Sequence, residues 1–204
     1  MSKPTLQRRP LVKQLLDGAD DNLLVIAGLG SPNWDVTESG DRPLNMPLWG
    51  AMGAPVCMGL GLAIAQPTKR VLVITGDADM LMSLGSLATV AAQQPDNLAI
   101  VVLDNEKFGE TGNQASHTSP RNNGPTDSGA GADLALIAKG CGIADVGTVR
   151  DAAEVAQLVR DARGKKGPIF RLVKVMVEKL EFVMPPQDGA HLKDRFRHAL
   201  LGHP

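Results

Sequence analysis

Residues 71–105, VLVITGDADMLMSLGSLATVAAQQPDNLAIVVLDN, decide the fold. Two short, β-branched, apolar runs, 71–75 (VLVIT) and 98–103 (LAIVVL), read as strands buried on both faces of a parallel sheet. Residues 80–94 between them are helix-length and rich in Leu, Ala and Met, so the three pieces form a strand, crossover helix, strand unit. Both strands of such a unit run the same way. Asp77, just past the first, and Asn105, just past the second, therefore emerge together at the carboxyl edge, where open α/β sheets bind their ligands. A carboxylate and an amide oxygen are hard donors, suited to a small octahedral cation that keeps its other positions for water, a backbone carbonyl and phosphate. Magnesium diphosphate fits that description. Gly76 permits close backbone approach, and the amides opening the next helix are expected to face the anion.

Outward from this unit the alternation continues on both sides. Upstream, 10–17 (PLVKQLLD) reads as a short amphipathic helix and 23–27 (LLVIA) as the first strand. The GLGSPNWD that follows has the GxG of a dinucleotide fingerprint without its last glycine or a well-placed ribose acid. It is better read as a strand-to-helix turn that sets Ser31, Asn33 and Trp34 near the edge of the site. Residues 44–65 (LNMPLWGAMGAPVCMGLGLAIA) describe a glycine-rich loop passing into a closely packed helix. Downstream, 133–140, 143–146, 151–163 and 168–177 read as helix, strand, helix and last strand. The whole predicts an α/β fold, a doubly wound and mainly parallel sheet with helices on both faces. One domain is expected over 1–180, then a tail, 181–204, whose Leu192, Phe196 and Leu200 mark an amphipathic helical face that suits a partner surface.

Composition narrows the function. At 204 residues the chain suits a single core, and a formal net charge of -1 gives no reason to expect nucleic acid. Cys57 and Cys141 stand alone, without the spacing of a zinc site or a disulfide framework. No signal-peptide core and no run of eighteen apolar residues is present, so a cytoplasmic protein without membrane contact is expected. The polar, glycine-rich stretch 111–132 is longer than an ordinary connection and is a candidate active-site loop. It carries His117, a candidate proton donor, and Arg121, a candidate anion clamp. Asp79, close to the expected diphosphate, is assigned to capping the helix that starts there.

Residues 76–105 resemble the diphosphate-binding motif of thiamine diphosphate enzymes: Gly-Asp-Gly, a spacer, then Asn-Asn or Asp-Asn. Ala78 stands where that motif has its second glycine. The resemblance implies thiamine diphosphate and Mg2+ as cofactors, with Asp77, Asn105 and the carbonyl of Lys107 as metal ligands. It makes Gly76, Asp77, Ala78, Asp79 and Asn105 coenzyme contacts, and has Phe108, Gly109 and Glu110 open a short active-site helix. In the GAMG turn it implies Met52 as the prop that bends the coenzyme, with Gly50 and Met52 binding the pyrimidine edge through their backbones.

The resemblance covers about half of a complete thiamine enzyme, because no pyrimidine-binding domain with its activating glutamate is found in the sequence. It therefore implies a pyrimidine-binding (PYR-type) partner chain that supplies the glutamate, in a hetero-oligomer of at least two copies of each chain. With DN at 104–105 and GETGNQ at 109–114, the chain is most similar to the sulfopyruvate and phosphonopyruvate decarboxylase branch. The implied reaction is non-oxidative decarboxylation of a 2-oxo acid to an aldehyde. The alternatives are a carboligase or other thiamine enzyme subunit, or a non-catalytic cofactor-binding regulatory subunit. An oxidoreductase carrying its own iron-sulfur cluster does not fit two separated cysteines.

Overall fold

A computed structural model describes residues 4–120 and 131–203. Arg121 and most of the polar stretch that follows it lie outside those residues. Six strands form one wholly parallel sheet: β1 (Leu23–Ala27), β2 (Asn45–Pro47), β3 (Arg70–Gly76), β4 (Leu98–Asp104), β7 (Asp145–Val149) and β8 (Ile169–Lys174), in the order β2-β1-β3-β4-β8-β7. A two-stranded antiparallel pair, β5 (Lys107–Phe108) and β6 (Gln114–Ala115), stands apart at the carboxyl edge.

Period-two alternation explains the two layers. On β3, Val71 and Val73 enter one core while Leu72 and Ile74 enter the other; on β4, Leu98, Ile100 and Val102 oppose Ala99, Val101 and Leu103 in the same way. The first core is covered by α3 (Ala54–Ala65), α5 (Gly85–Gln93), α6 (Leu134–Gly140) and α8 (Gly189–Leu201), through Val56, Leu60, Leu87, Leu134 and Phe196. The second is covered by α1 (Arg8–Leu16), α2 (Ser31–Glu38) and α7 (Ala152–Gly164), through Leu11, Leu15, Val36, Val155 and Leu158. The sheet is therefore doubly wound, as expected. Its direction of winding reverses between β1 and β3, which opens a crevice above their carboxyl ends.

Four local expectations need correction. The crossover helix is two helices, α4 (Asp77–Leu81) and α5, because Ser83 falls between them, Gly85 opens the second, and Ser86 Oγ donates to the Ser83 carbonyl at 2.6 Å. β2 was not anticipated; it is a three-residue edge strand whose Pro47 is tolerated only because one side is unpaired. The strand expected at 143–146 sits at Asp145–Val149, with Ile143 buried just before it. The apolar face of α8 does not await a partner: Leu192 and Phe196 are buried against this chain, and Arg195 grips Asp41 through two bonds of 2.6 and 3.1 Å. Among the described residues no helix is long and apolar enough to cross a membrane.

Two close approaches set the layer spacing near the crevice. A Cβ on Gly59 would lie 2.2 Å from Val73 Cγ2, so α3 rests directly on β3. A Cβ on Gly28 would lie 2.2 Å from Asp79 Oδ2 and 2.7 Å from Thr75 Oγ1. The glycine after β1 is thus required by a packed carboxylate rather than by a nucleotide.

Candidate functional site

A cavity of about 140 Å3 opens at the carboxyl ends of β1, β3 and β4. Gly76, Asp77, Ala78 and Asp79 line it from the end of β3 and the start of α4, and Asn105, Lys107, Phe108, Gly109 and Glu110 from beyond β4. Met52 faces them from the turn before α3. Parallel pairing makes this convergence: Gly76 is in register with Leu103, so Asp77 and Asn105 leave adjacent strand tips within two residues of each other.

Asp77 is 2% exposed. Burial, reinforced by the neighbouring Asp104 charge, pushes its pKa up to about 6 against the opposing hydrogen bonds of Ser116 and Thr118. Both hydroxyls take Oδ2: Ser116 Oγ donates at 2.5 Å and Thr118 Oγ1 lies at 3.0 Å. Thr118 Oγ1 also lies 2.8 Å from Asp104 Oδ1, which ties the tips of β3 and β4 together through one side chain. Asp104 Oδ2 is paired with Lys174 Nζ at 2.7 Å, and Lys174 reaches Glu106 at 2.6 Å. Those two carboxylates outweigh burial and hold the Lys174 ammonium above its ordinary range.

The donor set suits a hard divalent cation. No described side chain bonds Asp77 Oδ1, and besides the two hydroxyls the carboxylate is supported by its own backbone N–H, so this oxygen keeps lone pairs for a cation. Asn105 Oδ1 accepts the Lys107 N–H at 3.0 Å and keeps a second lone pair. Ser116 N–H donates to the Glu106 carbonyl, so the Lys107–Ala115 pair is a non-hydrogen-bonded one and the Lys107 carbonyl has no partner on β6. Among the described residues no group of three His, Cys, Asp or Glu side chains could hold a metal. A cation here relies instead on one carboxylate, one amide and one carbonyl.

Several expected residues sit differently. Asp79 is not a helix cap: α4 has Gly76 at its N-cap, and Asp79 is turned into the fold, accepting from Gly53 N at 2.5 Å and Thr75 Oγ1 at 2.6 Å. Ala78 adopts no positive φ, so the missing family glycine leaves no strain there. α4 has only five residues, too short for much dipole, and the short helix expected from residue 108 is a single 3-10 turn, Gly109–Thr111. Gly50 lies outside the lining residues. His117 is exposed and packs edge-on against Phe108 at 5.8 Å, because alternation turns Ser116 and Thr118 inward and the histidine between them outward. Of the trio after β1, Ser31 lines the cavity, Asn33 Nδ2 donates to the Leu48 carbonyl, and Trp34 lines the adjoining pocket beside Asn105 and Glu110, its ring tilted against Phe182 with centroids 4.2 Å apart.

Arg8 also lines the cavity and was not anticipated. A bridge between Leu6 and Val175 carries the N-terminal segment to the sheet's carboxyl edge, where Arg8 pairs with buried Asp35. Only long-range pairing reveals it.

The family model for the thiamine pyrophosphate enzyme, C-terminal TPP binding domain, matches residues 32–172. The chain belongs to that family. Sulfopyruvate decarboxylase subunit beta of Methanothermobacter thermautotrophicus is 31% identical to this thiamine pyrophosphate domain over 197 residues, 97% of each chain. Its counterpart from Methanocaldococcus jannaschii is 34% identical over 142 residues, 70% of each. Phosphonopyruvate decarboxylase of Streptomyces viridochromogenes is 29% identical over 96% of this chain but only 46% of its own length. A solved structure of a thiamin diphosphate-dependent enzyme from Mycobacterium smegmatis superposes with a TM-score of 0.67 at 20% identity, over 85% of this chain and 32% of that one, and so shares the fold.

Proposed function

We propose that this chain is the diphosphate- and magnesium-binding half of a cytoplasmic 2-oxo acid decarboxylase, acting on a sulfopyruvate- or phosphonopyruvate-like substrate. The observation that carries the reading is the meeting in one cavity of Asp77, Asn105 and Met52, which come from three separate segments. The near end-to-end similarity to a sulfopyruvate decarboxylase β subunit supports the choice of reaction.

In this reading Asp77, Asn105 and the Lys107 carbonyl hold Mg2+, and the backbone of Gly76, Ala78, Phe108 and Gly109 surrounds the diphosphate. Glu110, whose carboxyl is raised by burial, stands at the cavity wall. Met52 is a flexible apolar prop that fits beneath the coenzyme ring, with the neighbouring Gly50 backbone at the pyrimidine edge. Bound thiamine diphosphate would supply an electron sink for the pair left behind when carbon dioxide departs. The chain's own contribution is to orient the coenzyme, exclude water and hold charge near its anionic end.

The cavity is smaller than the roughly 300 Å3 at which small-molecule sites begin, so it houses one end of the coenzyme. A pyrimidine-binding partner chain covers the other end and donates the activating glutamate, in a hetero-oligomer of at least two copies of each chain. The test mixes purified chain with that partner, Mg2+ and thiamine diphosphate, and measures carbon dioxide released from 2-oxo acids bearing a terminal sulfonate or phosphonate. Release in the mixture and from neither chain alone is expected. Coenzyme binding without turnover on any 2-oxo acid would favour a regulatory subunit instead.

A further inference from the structure

Ser116 and Thr118 hold a position that the proposed reaction leaves unexplained. They come from the segment just after β6, some forty residues beyond Asp77, yet both are buried and both reach the same carboxylate oxygen. Ser116 Oγ is 2.5 Å from Asp77 Oδ2, Thr118 Oγ1 is 3.0 Å from it, and the two hydroxyls lie 2.9 Å apart. Thr118 is anchored in turn at 2.8 Å to Asp104, and Asp104 to Lys174 at 2.7 Å. The chain of contacts therefore ends on a buried ammonium, and Asp77 cannot swing without disturbing all of it.

We propose that Ser116 and Thr118 form a hydroxyl clamp that makes Asp77 a one-oxygen ligand and so sets the site's preference for magnesium over calcium. The proposal rests on Asp77 being a metal ligand. Magnesium accepts a single oxygen from a carboxylate and demands a tight octahedron at 2.0–2.1 Å, whereas calcium takes six to eight oxygens and often both from one carboxylate. With Oδ2 accepting the Ser116 proton and packed against the Thr118 hydroxyl, whose one proton is shared between Asp77 and Asp104, Asp77 has Oδ1 to offer. A small six-coordinate ion loses nothing by this, while a larger ion is denied a ligand it would otherwise recruit. Ser116 and Thr118 are thus positioning residues that act through Asp77.

The test is competition for Mn2+ bound to the full chain with thiamine diphosphate, followed by the electron paramagnetic resonance signal of free Mn2+. Mg2+ and Ca2+ are each used to displace it. The wild type is expected to release Mn2+ to Mg2+ more readily than to Ca2+. In Ser116→Ala combined with Thr118→Val, the ratio of the two competition constants should move toward Ca2+ by about tenfold, the lower end of what outer-shell changes do to metal affinity. Thr118→Ser, which keeps the hydroxyl, should stay within about twofold of wild type. Should the double variant not fold, Ser116→Ala alone should move the ratio in the same direction. Equal loss of both affinities, or an unchanged ratio in variants that still bind Mn2+, overturns the clamp and leaves the site intact. A wild type that binds no Mn2+ with the coenzyme present overturns the metal site itself, and the clamp with it.

Discussion

Asp79 Oδ1 accepts the backbone N–H of Gly53 at 2.5 Å, tying the first turn of α4 to the turn that carries Met52. Its other oxygen accepts the Thr75 hydroxyl at 2.6 Å. Burial raises the Asp79 carboxyl above its ordinary range even against these two bonds, so the group is costly to bury and is held by its partners. Asp79→Ala leaves a buried N–H and a buried hydroxyl unpaired, and is expected to lower stability by about 1–3 kcal/mol in a denaturant titration. It should also weaken thiamine diphosphate binding, because the Met52 turn loses its anchor. Asp79→Asn keeps an acceptor and should lose less. Equal denaturation midpoints for Asp79→Ala and wild type would show that the tie contributes nothing.

Gly28 and Gly61 make a matched pair for the packing claim. A methyl at Gly28 meets the Asp79 carboxylate and Thr75 at once, whereas nothing lies within 4 Å of the corresponding position on Gly61, in the exposed face of α3. Gly28→Ala should cost about 1–3 kcal/mol through overpacking. Gly61→Ala should be neutral or stabilising by up to about 1 kcal/mol through helix propensity. Thermal melts of the two variants are expected to move in opposite directions, or at least to differ clearly.

Arg171 lies on the α7 side of β8 and bonds Asp161 at 2.7 Å and Asp145 at 2.8 Å. Burial would raise both carboxyls, but Arg171, with Gln157 at Asp161 and Lys165 at Asp145, holds each below its ordinary value of 3.8. A folded-state value below the unfolded one adds stability that is present above about pH 4 and is lost as pH falls through the lowered value. Arg171→Met should therefore cost about 1–3 kcal/mol near neutral pH, because Asp145 keeps Lys165 and Asp161 keeps only the neutral Gln157. The gap between variant and wild type should close as the pH of the denaturant titration is taken below the ordinary carboxylate range.

Much of this arrangement could be read from local pattern. The runs 71–75 and 98–103 located β3 and β4, and the residues just past them located Asp77 and Asn105, because strand period and parallel direction are properties of short segments. What escaped depends on contacts between distant segments. Arg8 reaches the site through the Leu6–Val175 bridge, Ser116 and Thr118 through a loop that folds back on β3, and Asp79 through its reach to Gly53. His117 attracted notice by its chemistry, but the two hydroxyls beside it point inward and the imidazole does not. The burial of α8 was hidden for a similar reason: its stripe of Leu192 and Phe196 reads identically whether it meets its own chain or another.

Asp77 carries a conflict between stability and function that can be measured. Its ordinary value is 3.8 and the fold holds it at about 6, so the folded state binds the proton more tightly than the unfolded chain does. Stability of the metal-free protein should then fall as pH rises from about 4 to about 6 and stay low above that. At about 1.4 kcal/mol per pKa unit, the penalty near neutral pH is roughly 2–3 kcal/mol. Asp77→Asn removes the charge yet leaves an amide oxygen for the Ser116 and Thr118 hydroxyls. The metal-free variant is therefore expected to be more stable than wild type near pH 7.5 by about that amount, and no more stable below about pH 4. Magnesium-dependent binding of thiamine diphosphate should be lost in the same variant, since the amide offers no charge to the cation. Denaturant titrations at the two pH values, with coenzyme titrations beside them, separate the effects. A variant less stable than wild type near pH 7.5 would mean that the carboxylate is already compensated by the protein, and would remove the electrostatic argument for a cation at the tips of β3 and β4.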